Sequence, residues 1–105
     1  MISVLVVGGE KETEGLAGRN PSVEVVTAHG MEDTLEKLGR NRRIDAVLLL
    51  SGADAAAVLG AVEEDNPAHP PVFQGGGRPE TPGTRSLPER DPGRLLDLVL
   101  ANLEG

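Results

Sequence analysis

The sequence predicts an α/β domain built on a parallel sheet, and three observations predict it. Residues 44–51, IDAVLLLS, form an apolar run with one leading acid and no charge inside, the pattern of a central strand covered on both faces. Ile2–Val7, ISVLVV, is a second run of this kind, apolar and β-branched, almost at the start of the chain. Helix-like segments alternate with the strand-like ones, which most simply makes the strands parallel and puts any functional site at their carboxyl ends.

The first strand stops at Gly8 and Gly9. The following EKETEGLAGRNP holds only Leu16 and Ala17 as apolar residues and is opposed by Gly15, Gly18 and Pro21, so the first crossover is short and weakly helical. Val23–Ala28 is the second strand, and the alternation of Glu24 and Thr27 with valines places it nearer an edge. Met31, Leu35 and Leu38 then recur at helical spacing, with Glu32 and Asp33 in the first turn and Arg40, Arg42 and Arg43 at the end, as the helix dipole favours. After the central strand, Gly52 opens a helix over 53–64, whose Ala55, Val58, Leu59 and Val62 make a stripe of small residues for close packing on a sheet; Asn66 and Pro67 end it. Residues 71–74 read as a short fourth strand led in by Pro70.

Beyond this point the texture changes, because seven of the eight prolines lie between Pro67 and Pro92 and GGGRPETPGT holds no aliphatic or aromatic residue. Residues 75–88 are therefore expected to be mostly irregular, with a fifth strand at 84–87. The last helix has Asp91 as N-cap, Pro92 at its first position, and Leu95, Leu96, Val99, Leu100 and Leu103 along one side.

Composition excludes several classes. At 105 residues the chain is a single domain, 1–105, with an aliphatic core, since Phe73 is its only aromatic residue. A formal charge of −7 and the lack of stacking platforms argue against nucleic acid. With no cysteine there are no disulfides, zinc ribbons or thiol chemistry, and without a signal peptide or spanning segment the expected place is the cytoplasm, with no membrane partner.

In order, VLVVGGE, VEVVTAHGMEDTLEKL, IDAVLLLSG and the final DPGRLLDLVLANL resemble the receiver domain of two-component response regulators. The resemblance covers nearly the whole chain and is poor over 75–88. It implies a flavodoxin-like five-stranded sheet of order 2-1-3-4-5, with a shortened first crossover and a reduced or missing fourth helix. Receivers carry an acidic pair after the first strand to hold magnesium, and an aspartate ending the third strand to accept a phosphoryl group. The corresponding positions here are Gly8 and Gly9, followed by Glu10, and Leu50, with Ser51 next to it; the usual hydroxyl residue after the fourth strand falls near Gly76, and the lysine after the fifth near Pro88. Magnesium needs hard oxygen ligands and transfer needs a nucleophile beside neutralised phosphate oxygens, so this set cannot support aspartyl phosphorylation. Ser51 is no replacement for a carboxylate without an activating base.

The remaining features carry two readings each. Glu10 and Asp54 are able to hold a cation at the carboxyl edge or to act as solvated charges near helix starts. His29 and His69 are either switches near neutral pH or surface residues. Arg40, Arg42 and Arg43 cap a helix or meet an anionic partner. Gly8, Gly9, Gly52, Gly75, Gly76 and Gly77 converge at the carboxyl edge, where bare amides cradle an anion or glycine fills space left by lost catalytic side chains. The sequence thus predicts no enzyme and no cofactor, but a pseudo-receiver that works through a protein partner or self-association as a homodimer. Its alternative is a small-ligand or phosphate-binding module on the glycine edge. The expected docking face lies on the last helix, around Leu95, Leu98 and Asn102, with Leu98 pointing away from the centre of the apolar stripe.

Overall fold

The computed structural model describes residues 2–16, 18–40, 44–50, 55–65, 70–75 and 83–104. The elements run β1 (Ile2–Val7), α1 (Glu10–Thr13), β2 (Val23–Ala28), α2 (Met31–Arg40), β3 (Ala46–Leu49), α3 (Ala55–Asp65), β4 (Val72–Gln74), β5 (Arg85–Ser86) and α4 (Pro92–Glu104). All neighbouring strands pair in parallel, in the order β2-β1-β3-β4-β5, which is a flavodoxin-like topology. The 44–51 run sits where its apolarity requires, with Val4 against Ala46 on one side and Val47 against Val72 on the other. Only four of its residues are strand, and Leu50 continues the ladder by donating its N–H to the Val7 carbonyl at 2.8 Å.

Strand alternation divides the core into two layers. On one face Val4, Val6, Ala46, Leu48 and Phe73 meet Leu95, Leu96, Val99 and Leu100 of α4. On the other, Leu5, Val7, Val47, Leu49 and Val72 meet Leu38 of α2 with Val58, Ala61 and Val62 of α3. The second face therefore has two long helices and the first has one, because the first crossover supplies only the four residues of α1.

Two contacts compensate for that short crossover. Leu16, just beyond α1, is buried in the α4-side core. Arg19 then clamps Asp97 of α4 with two charge-assisted bonds, Nε to Oδ1 at 3.2 Å and Nη2 to Oδ2 at 2.9 Å. The guanidinium lies so close to the helix that a Cβ on Gly93 would be 2.6 Å from Nη1, so glycine in the first turn of α4 makes room for the clamp. The bond to Arg19 holds the Asp97 carboxyl below its ordinary range.

Local chemistry sets the helix starts. Asp91 caps α4 by accepting the Arg94 N–H at 3.1 Å, with Pro92 as the first helical residue. Glu89 precedes it, its carboxylate accepting the N–H groups of Arg90 and Asp91, which lowers its pKa. Before α2, Gly30 takes φ +90, a left-handed conformation, and Thr34 returns its hydroxyl to the Gly30 carbonyl at 2.7 Å.

Elements differ from expectation at their ends. The helix expected over 53–64 is described from Ala55 to Asp65, and the fifth strand shrinks from 84–87 to Arg85–Ser86. The connection from β4 to β5 spans residues 75–84, shorter than the dozen or more that a crossover helix ordinarily needs. Residues 76–82 within it, including Gly76, Gly77, Pro79 and Pro82, lie outside the described residues, as do Arg42, Arg43, Ser51, Gly52, Asp54, Asn66, Pro67 and His69.

Candidate functional site

The carboxyl edge of β1, β3 and β4 is where this topology ordinarily places ligands, and leucine closes it here. Leu50, the residue after β3, is 2% exposed and belongs to the α4-side core. Its side chain lies on the backbone of Gly8: a Cβ built there would be 2.8 Å from Leu50 Cβ and 3.0 Å from Cδ1. Real Cβ atoms do not approach so closely, so any side chain at position 8 displaces the leucine. A second contact of the same kind lies at the end of β4, where a Cβ on Gly75 would be 2.7 Å from Leu95 Cδ1. Leucine fills the space that opens over both glycines, a pairing of Leu50 with Gly8 and of Leu95 with Gly75 that no local pattern in the sequence shows.

Gly9 is different. Its φ of −71 and ψ of 160 suit any residue, and a Cβ there would meet only Glu12 Oε1, at 3.5 Å. Glu10, the first residue of α1, is exposed.

The backbone amides of this edge are already in use. Gly8 donates to the Ala28 carbonyl at 3.1 Å, Gly9 to Glu12 Oε1 at 3.2 Å, and Gly75 to the Leu49 carbonyl at 3.0 Å. An anion cradle built from these three would have to break bonds that hold β1 to β2, α1 to its cap and β4 to β3. Gly52, Gly76 and Gly77, the other members of that cradle, lie outside the described residues, as does Ser51. Among the described residues no cluster of three or more His, Asp or Glu could hold a metal ion. Pro88 is exposed beyond β5, and its neighbourhood carries Glu89 paired with Arg94 at 3.8 Å.

His29 is exposed at this edge, in keeping with a surface residue, and its side chain makes one contact there. His29, the residue after β2, points its Nδ1 at the Gly8 carbonyl, 2.8 Å away, while its N–H donates to Asp33 Oδ2 at 2.8 Å. A carbonyl can only accept, so Nδ1 is the donor in this contact. No spacing rule links residues 8 and 29; the pairing of Val7 with Ala28 brings them together. Arg40, at the end of α2, pairs with Glu36 one turn back at 3.0 Å.

Of the three residues expected to form a docking face on α4, Leu95 requires correction. Leu95 is 1% exposed, a core residue beneath Gly75, and Leu98 packs half-buried at the flank of the same core. Asn102 is exposed and returns its amide to the Leu98 carbonyl at 2.9 Å. The apolar strip along α4 is wide because this one helix covers β1, β3 and β4, with little help from α1. Among the described residues Leu35 on α2 is the only large hydrophobic side chain left exposed, at 43%.

Two hollows are lined by described residues. One of about 240 Å³ lies between Leu59 and Val62 of α3 and Val72, Gly83 and Arg85. The other, about 380 Å³, lies between α1 and the start of α4, and its Arg19 and Asp91 are occupied by the clamp and the helix cap. No helix among the described residues is long and apolar enough to cross a membrane. The sequence matches no protein-family model and no curated protein.

Proposed function

We propose that this chain is a receiver-like interaction module whose output does not depend on phosphorylation. The observation that carries the reading is the contact of Leu50 with Gly8: the positions that correspond to a receiver's phosphoryl acceptor and its first magnesium ligand touch each other as apolar packing. A dry leucine there can neither attack a phosphorus atom nor coordinate a hard cation. Output then depends on surfaces that are always presented, and the partner is another protein or a second copy, in the cytoplasm. No chemical step is assigned to the chain. The small-ligand alternative has less support, because the amides of Gly8, Gly9 and Gly75 are already bonded.

Intact-mass measurement after incubation with a small phosphoryl donor and magnesium tests the reading. The expected spectrum is unchanged, whereas a stable gain of one phosphoryl group would overturn it. A thermal-shift series with nucleotides and inorganic phosphate tests the alternative, with no shift expected.

A further inference from the structure

We propose that the outer edge of β2 pairs antiparallel with the same edge of a second copy, joining two sheets into one of ten strands. The edge lacks the devices that usually block such pairing, since VEVVTA contains no proline or lysine and one charge, Glu24. β2 is also six residues long, whereas the opposite edge strand, β5, has two.

The hydrogen-bond pattern defines how the copies meet. Gly8 donates to the Ala28 carbonyl, so ladder parity turns the backbone groups of Glu24, Val26 and Ala28 towards β1 and those of Val23, Val25 and Thr27 outward. At the ends of the strand the outward donors are satisfied within the chain: Val23 donates to the Asn20 carbonyl at 3.1 Å and His29 to Asp33 Oδ2 at 2.8 Å. Between them the N–H and C=O groups of Val25 and Thr27 remain, and among the described residues no strand lies beyond β2.

Two donors and two acceptors spaced by two residues are self-complementary about a two-fold axis. With the axis at Val26, Val25 of each copy exchanges both of its bonds with Thr27 of the other, and Glu24 faces Ala28 instead of a second Glu24. The same operation covers Val25, Val26 and Thr27, each half-buried on its own. It also sets both α2 helices, which pack along β2 and each carry the exposed Leu35, on one face of the joined sheet. This pairing does not rest on the receiver reading, and phosphoryl transfer to the chain would end that reading while leaving this one standing.

Sedimentation and light scattering across a concentration series test it with the parent, Thr27→Pro and Leu35→Glu. Proline at 27 removes an N–H that β1 does not use, so the monomer fold survives while the pair loses two bonds. The parent is expected to approach twice its 10.9 kDa mass, and both variants to remain near 10.9 kDa with the parent's circular dichroism. A parent that stays monomeric at millimolar concentration overturns the proposal, as does a folded Thr27→Pro that still dimerises. Should that variant unfold, amide exchange in the parent decides: protection of Val25 and Thr27 that rises with concentration supports the pairing, and fast exchange of both at every concentration refutes it.

Discussion

The carboxyl ends of β1, β3 and β4 and the outer edge of β2 are built in opposite ways. At the first, side chains close the backbone: Leu50 lies on Gly8, Leu95 on Gly75, and the glycine amides are spent on neighbouring carbonyls. At the second, backbone groups face outward beside half-buried valines and one charge. The difference teaches that one sheet spends its backbone groups inward at its strand ends and leaves them outward along an edge, which is the arrangement that invites pairing with another chain.

The most severe way to break the closed end is Leu50→Asp. Removing the leucine costs about 2–5 kcal/mol, and the carboxylate left against Gly8 adds the cost of an unpaired buried charge. In a domain whose whole stability is about 5–15 kcal/mol, the variant is expected to be mostly unfolded at neutral pH. Burial raises the carboxyl pKa, so its deficit relative to the parent should shrink as acid neutralises the group. Urea melts at several pH values read both effects.

The adjacent glycines give a smaller and cleaner contrast. Gly8→Ala forces a methyl into Leu50 and is expected to cost about 1–3 kcal/mol, with Gly75→Ala in the same range for its contact with Leu95. Gly9→Ala, with open space and ordinary dihedrals, should be neutral or stabilising by about 0.4–1 kcal/mol. Equal effects at positions 8 and 9, measured by denaturant midpoint, would mean that Leu50 does not lie where the fold places it.

Much of this architecture is legible in the sequence. β1 and β2 match their apolar runs residue for residue, and α4 begins at Pro92 as Asp91 predicts, because periodicity and capping are local. The weak first crossover and the edge position of β2 are equally visible. What local patterns do not reveal are the contacts between distant residues. Arg19 meets Asp97 across 78 positions, His29 meets Gly8 through sheet pairing, and Leu95 meets Gly75 because a helix crosses the end of β4. Leu95 belongs to the core and not to a docking face for a related reason: a helix wheel fixes which residues share a side, but not how much of that side the sheet covers.

The smallest expected effect belongs to the Arg19 clamp, an exposed pair on the thinly covered face. Asp97 and Glu89 both have folded pKa values below their ordinary range. Each contributes stability that is present above the unfolded carboxyl pKa and lost as pH falls through the lowered folded value. Asp97→Asn should therefore flatten the acid limb of the stability profile slightly, and added salt should narrow its difference from the parent.

The contact of Leu50 with Gly8 can be observed directly by nuclear Overhauser spectroscopy on methyl-labelled protein. Strong cross-peaks are expected from the Leu50 methyl protons to a Gly8 Hα, unchanged by magnesium and beryllofluoride. Absent cross-peaks, together with saturable shifts of the Gly8 and Leu50 amides on adding those ions, would contradict that contact.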